Sequence, residues 1–194
     1  MRRIGLGLFI IGITFAKAYA QEDYGPVNTG AANYLTVPAD ARSAAMGGAG
    51  VAAPGGDHAV FHNGAAALSD VTHRGGVAYT YSPWMRDYES GYSLHSLGSF
   101  YKINQRNAIL LGFRYFGYPE MDGTGEGVSG IHPKEIAVEA GYAYEVIKNF
   151  SVSATFKYLF SDMGRIGNSR GASSVAFDLG VLYKCGINDW EGAG

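Results

Sequence analysis

Six charged residues fall where extended strands would turn them to one side: Arg114, Glu139, Glu145, Lys157, Asp178 and Lys184. Carboxylates and bases gathered on one face could perform acid–base or hydrolytic chemistry. A serine hydrolase also needs its nucleophile raised on a sharp turn and paired with a base. The chain has no Gly-x-Ser-x-Gly elbow and no clear Ser/His/Asp arrangement. The six charges are therefore expected to line a polar interior, and no catalytic residue is assigned.

Three other constellations carry chemistry only weakly. His58 and His62 are four apart, the spacing of a metal pair on a helix, and Asp57 is adjacent. A third convincing ligand is missing, and Pro54-Gly55-Gly56 leaves little room for a helix upstream. Asp122-Gly-Thr-Gly-Glu126 offers two carboxylates for Ca²⁺ but lacks the remaining ligands of an EF-hand loop. Gly48-x-Gly50-x-x-Ala53, with Asp70 downstream, matches a loose dinucleotide fingerprint. No apolar strand precedes it and a Pro-Gly-Gly turn follows where a helix is required. The expected readings are polar plug residues, a solvated loop and a turn, with no metal and no cofactor.

The elements that position these residues begin after a removable leader. Arg2 and Arg3 precede an uncharged apolar run, Ile4 to Phe15, and Ala18-Tyr19-Ala20 supplies the small residues of a cleavage site. The run falls short of the roughly 20 residues that a spanning helix needs. Residues 1–20 thus read as a signal peptide, with Gln21 as the first mature residue. The formal net charge of −2 gives no bulk electrostatic reason to bind nucleic acid. The single cysteine, Cys185, cannot form an internal disulfide, so backbone pairing and burial must supply stability.

Residues 21–74 are rich in Ala and Gly and broken by Pro26, Pro38 and Pro54. A short helix is expected over Ala39 to Met46, with Asp40 as its N-cap. A second helix or turn is expected over Ala59 to Leu68, after an irregular stretch from Gly47 to Gly56. From Gly75 the apolar period becomes two. Ile109, Leu111, Phe113 and Tyr115 share a face, as do Ile136, Val138, Ala140, Tyr142 and Tyr144. Phe150 to Phe160 and Val175 to Tyr183 repeat the alternation, with small or charged residues between. Val77, Tyr79 and Tyr81 add a strand. Gly91 to Ile103 adds another whose apolar residues choose no face cleanly.

Alternation alone also fits a soluble β-sandwich. Three features favour a membrane barrel. The strands are long enough for a tilted span, and aromatic residues cluster near their ends: Tyr81, Tyr115, Tyr144, Phe150, Tyr158, Phe160 and Tyr183. Tight links at Ile103–Asn107 and Val146–Asn149 also alternate with longer ones, at Pro83–Ser90, Tyr118–Pro133 and Ser161–Ala172. In such a barrel Val152 and Leu179 would face lipid, whereas Ser153 would face a polar lumen able to accept a larger side chain. Lipid leaves no backbone group unpaired without cost, so a spanning sheet must close. Six strands fall below the usual eight, and residues 186–194 do not read as a barrel strand. Either the chain is part of a larger barrel, the favoured expectation, or another chain covers its edges; residues 21–74 read as plug-like, 75–185 as strands and 186–194 as a tail or truncation.

The order of blocks resembles the PorV/PorQ branch of the FadL-like outer-membrane proteins. The segment from Leu35-Thr36-Val37-Pro38 through Met46-Gly47-Gly48 is similar to that family's opening block. Asn63-Gly64-Ala65-Ala66-Ala67-Leu68 stands where the family has Asn-Pro-Ala, and the missing proline is a departure. Phe113-Arg114-Tyr115-Phe116, Pro133-Lys134-Glu135-Ile136-Ala137, Phe156 to Asp162 and Val175 to Gly180 look like the PorV side of the branch. The resemblance implies an all-β antiparallel outer-membrane barrel of the type IX secretion system. It implies that the barrel binds cargo with a C-terminal signal domain and passes it to the attachment machinery. The implied partners are secreted cargo, translocon and attachment-complex proteins and outer-membrane lipid, without nucleic acid or cofactor. A FadL-like channel for hydrophobic small molecules and a soluble periplasmic sandwich are the alternatives.

Overall fold

The computed structural model describes residues 32–53, 55–70, 72–84, 91–120, 130, 132–162 and 171–184. The expected signal peptide, residues 21–31, the Asp122–Glu126 loop, Cys185 and the 186–194 tail lie outside the described residues. Six strands dominate: β1 (Gly75–Pro83), β2 (Ser93–Asn104), β3 (Asn107–Gly117), β4 (Lys134–Ile147), β5 (Phe150–Asp162) and β6 (Ala172–Tyr183). They form one antiparallel sheet in sequence order, with β1 and β6 as its edges. The sheet is not closed. No helix among the described residues is long and apolar enough to cross a membrane.

Short-range chemistry sets the two tight turns. Between β2 and β3 the Asn104 carboxamide oxygen accepts from the Arg106 amide at 2.8 Å and from Asn107 Nδ2 at 2.8 Å. Between β4 and β5, Asn149 takes the left-handed backbone at φ 68°, which asparagine tolerates better than most residues. Its amide donates to Glu145 Oε1 at 3.1 Å. Each ladder shifts register beside its turn, between Lys102 and Asn104 and between Glu145 and Ile147. Both tight turns lie at one end of the sheet, and the three longer connections leave from the other.

The sheet's two faces are inverted relative to a soluble protein. Val77, Leu111, Val138, Phe156 and Val181 are exposed, and so are Phe177 at 73% and Leu179 at 86%. The opposite face buries Ser96, Arg114, Glu139, Ser151, Thr155 and Lys157, with Glu139 at 0% and Arg114 at 2%. A sandwich in water would bury the first set and expose the second. Aliphatic side chains bared across six strands instead suit a hydrocarbon surround. Tyr81, Tyr115 and Phe160 lie toward the long connections, and Tyr144, Phe150 and Tyr183 toward the tight turns. Phe156 and Phe177, 5.3 Å apart at their ring centroids, depart from this banding because they meet near mid-strand.

The polar face is covered by the chain that precedes β1. This segment contains a 3-10 turn (Asn33–Thr36), helix α1 (Ala41–Ala45), helix α2 (Ala59–His62) and a 3-10 helix (Gly64–Ser69). Asp40 caps α1 as expected, accepting from the Ser43 amide at 2.8 Å. Gly47 and Gly48 end it with positive φ, their amides donating to Ala44 and Ser43 carbonyls at 3.1 and 2.7 Å. That pairing is a Schellman motif, so the Gly-Gly step is a helix stop rather than a phosphate loop.

Close approach of this segment dictates small residues beneath it. Gly98 and Gly112 are register partners. A Cβ on Gly98 would strike the Asp57 carbonyl, and one on Gly112 would come within 2.9 Å of both Phe61 and Val60. Two apolar clusters result. One joins Ala39, Val60 and Phe61 to Phe100, Ala108 and Leu110; the other joins Tyr34 to Leu94, Phe116 and Ala137. The inner face is therefore not uniformly small and charged. This also explains the ambiguous β2: Leu94 and Phe100 face the segment, whereas Leu97, Tyr101 and Ile103 are exposed on the other side. Ser153 corrects another expectation. It is 7% exposed and packs 3.1 Å from where a Gly64 Cβ would stand, so it has no space for a larger side chain.

Candidate functional site

Four of the six charged residues singled out above meet in one ladder beneath the N-terminal segment. Register brings them together: Gly112 opposes Glu139, and Glu139 opposes Lys157. Arg114 stands one same-face position along β3. Its Nε lies 3.1 Å from Glu139 Oε1, an ion pair between two buried groups. Lys157 Nζ lies 3.4 Å from Glu139 Oε2 and 2.6 Å from Asp178 on β6. Two cations thus meet two anions, which is how buried charge is tolerated.

Arg114 also reaches across to the covering segment. Its guanidinium donates to the Leu35 carbonyl at 3.2 Å and the Phe61 carbonyl at 3.4 Å, and sits 4.3 Å from the Phe61 ring centroid. One side chain therefore fastens two separate parts of the N-terminal segment, the first 3-10 turn and α2, to β3. The fixed fork of donors makes arginine suited to this task. Glu145 and Lys184 do not join the ladder. They lie at the tight-turn end, Glu145 on the Asn149 amide and Lys184 Nζ donating to the Ser69 carbonyl at 3.0 Å.

Several contributors were not singled out by type and spacing. Asn63 Nδ2 donates to Val51 O at 3.3 Å and to Val181 O at 3.1 Å, while its Oδ1 accepts from the Ala65 amide at 3.2 Å. It caps the 3-10 helix and ties it to edge strand β6. Gly64 occupies the first helical position, where proline is normally at home. Here the nearness of Ser153 favours the smaller residue. Asn63→Ala should remove a cap and orphan a buried amide group, costing about 1–2 kcal/mol in the unfolding midpoint of the full-length protein. A midpoint unchanged from wild type would contradict this role.

His58 and His62 turn to different partners. His62 Nε2 contacts Asp40 Oδ2 at 2.8 Å, and His58 Nε2 contacts Thr80 Oγ1 at 3.2 Å. Burial opposes the charge on Asp40. Hydrogen bonds from His62 and from the Ser43 amide and hydroxyl outweigh it and bring the carboxyl down to about 2. Burial pushes His58 below the usual imidazole range, which favours a neutral ring. Burial likewise raises the Tyr34 phenol, with Glu135 adding to the effect. Glu135 itself accepts from the Tyr118 hydroxyl at 2.6 Å. Its place on the non-apolar face of β4 and within the Pro133–Ala137 block are the signals that could have found it.

A family model described as type IX secretion system protein PorV matches residues 19–192. That span takes in the covering segment, all six strands and the ion-pair ladder. No curated protein matches the chain.

Proposed function

Because this chain belongs to the PorV family of type IX secretion system proteins, we propose that it carries cargo at the outer membrane. In this reading it binds secreted proteins through their C-terminal signal domain and hands them to the surface attachment machinery. The apolar face of the sheet meets lipid, and the face bearing Arg114, Glu139, Lys157 and Asp178 lines a lumen. Glu145 and Lys184 stand at the lumen's tight-turn mouth. The Ala/Gly-rich segment before β1 acts as a plug in that lumen, after export through a cleaved signal. The work done is recognition and transfer between proteins, without chemistry at a resident cofactor.

The observation that carries the reading is the inversion of the sheet, with apolar side chains bare and buried ion pairs beneath the segment that precedes β1. It supports a barrel wall with long connections outside the cell and tight turns in the periplasm. The test uses a type IX secreting strain deleted for its own copy and complemented with the full-length protein. Cargo should reappear attached to the surface. In the same strain, a cysteine at His132 should react with an impermeant thiol reagent on intact cells, and one at Gln105 should not. Reversed labelling would refute the topology. Surface attachment that needs no complementation would refute the carriage role.

A further inference from the structure

The tight-turn end of the inner face holds a cavity of about 720 Å³ between the last residues of the N-terminal segment, both tight turns and the end of β6. Four cations from four separate elements line it: Arg74, Lys102, Lys148 and Lys184. Lys102 Nζ donates to the Asp70 carbonyl and Lys184 Nζ to the neighbouring Ser69 carbonyl. Those two carbonyls close the 3-10 helix, so strands β2 and β6 bring two ammonium groups to one helix end. Each ammonium has three donors and keeps others for a ligand.

The two lining carboxylates are engaged elsewhere. Asp70 accepts from the Thr72 and His73 amides at 2.8 and 3.1 Å and contacts the His73 ring at 3.1 Å. Glu145 holds the Asn149 amide. Among the described residues, neither forms an ion pair with any of the four cations, and Lys148 forms none at all. Positive charge is therefore gathered in excess of what the wall neutralises, which attracts an anionic occupant.

We propose that this cavity binds an acidic peptide segment entering from the tight-turn side. A peptide fits better than a bare anion, because the Gln105 and Asn149 carboxamides offer both donors and acceptors, as peptide bonds do. Leu68, Ile103 and Leu182 add apolar contact for side chains between the acidic ones. The inference does not depend on the carriage reading, since binding is measured on purified protein.

The experiment is fluorescence anisotropy of a labelled hexaglutamate peptide with the full-length protein in detergent, beside a hexaserine control. Hexaglutamate should bind in preference to hexaserine, and the binding should weaken as salt rises. Lys148→Glu should weaken it about fivefold or more without changing the unfolding midpoint, since Lys148 holds no ion pair that folding needs. Lys184→Gln provides a second variant on the opposite wall and should also weaken binding. Equal binding of the two peptides, or full affinity in both variants, overturns the proposal. Displacement by inorganic phosphate at concentrations equal to the peptide also overturns it, because the site would then recognise an anion and not a peptide.

Discussion

A full-length protein carrying Leu179→Arg is expected to lose about 2–4 kcal/mol of stability in bilayers, because the guanidinium would be forced against hydrocarbon. Leu179 lies near the middle of β6, is 86% exposed and opposes Ala154 on β5. Its neighbour in that row, Ala154, offers no polar group to shelter the charge, and snorkelling to the interface would bend an arginine along several rows of ladder. Ser174→Arg, on the same strand but the opposite face, should change stability by less than about 1 kcal/mol. Unfolding of both variants from vesicles by urea, read by tryptophan fluorescence, makes the comparison. Equal losses would mean that the apolar face does not meet lipid.

Glu139→Ala should cost about 3–5 kcal/mol, the usual consequence of removing one partner from a buried charge cluster. Glu139 is fully buried and is the anion shared by Arg114 and Lys157. Lys157 retains Asp178 at the sheet edge, but Arg114 is left with only carbonyls and the Phe61 ring. Because Arg114 fastens the covering segment, limited proteolysis within residues 32–74 should accelerate along with the loss of stability. Glu145→Ala provides the contrast: it is half-buried at a turn and should cost no more than about 1 kcal/mol. A Glu139→Ala protein as stable as Glu145→Ala would show that the ladder is hydrated rather than sealed.

How far these features could be read in advance depends on how local their causes are. Strands β3 to β6 were legible because each repeats apolar residues at every second position over most of its length, so one face can be assigned without knowing any neighbour. Asp40 was legible for the same reason: a cap acts within three residues. Strand β2 was opaque because Leu94 and Phe100 answer to the covering segment while Leu97 and Tyr101 answer to the outer surround. Arg114, Glu139, Lys157 and Asp178 were recognisable as inward charges. Their separation from Glu145 and Lys184 came only from register, which side-chain period cannot supply. Ser153 was misjudged because a small polar residue looks alike whether it faces water or a packed helix end.

The bond from Asn63 to Val181 joins residues 118 positions apart. The segment that binds there leaves the ribosome before any strand, yet its seat is built from β2, β3, β4, β5 and β6 together. Until β6 is in place, Asn63 has no carbonyl to hold at that edge, and Lys157 has no Asp178. Such long-range closure is slow, because loop entropy must be overcome before the contact gives anything back. The segment is thus made before the strands that seat it and settles after them. Its docking acts as an internal check of assembly: a sheet lacking β6, or carrying it in slipped register, would leave the segment undocked and open to proteases.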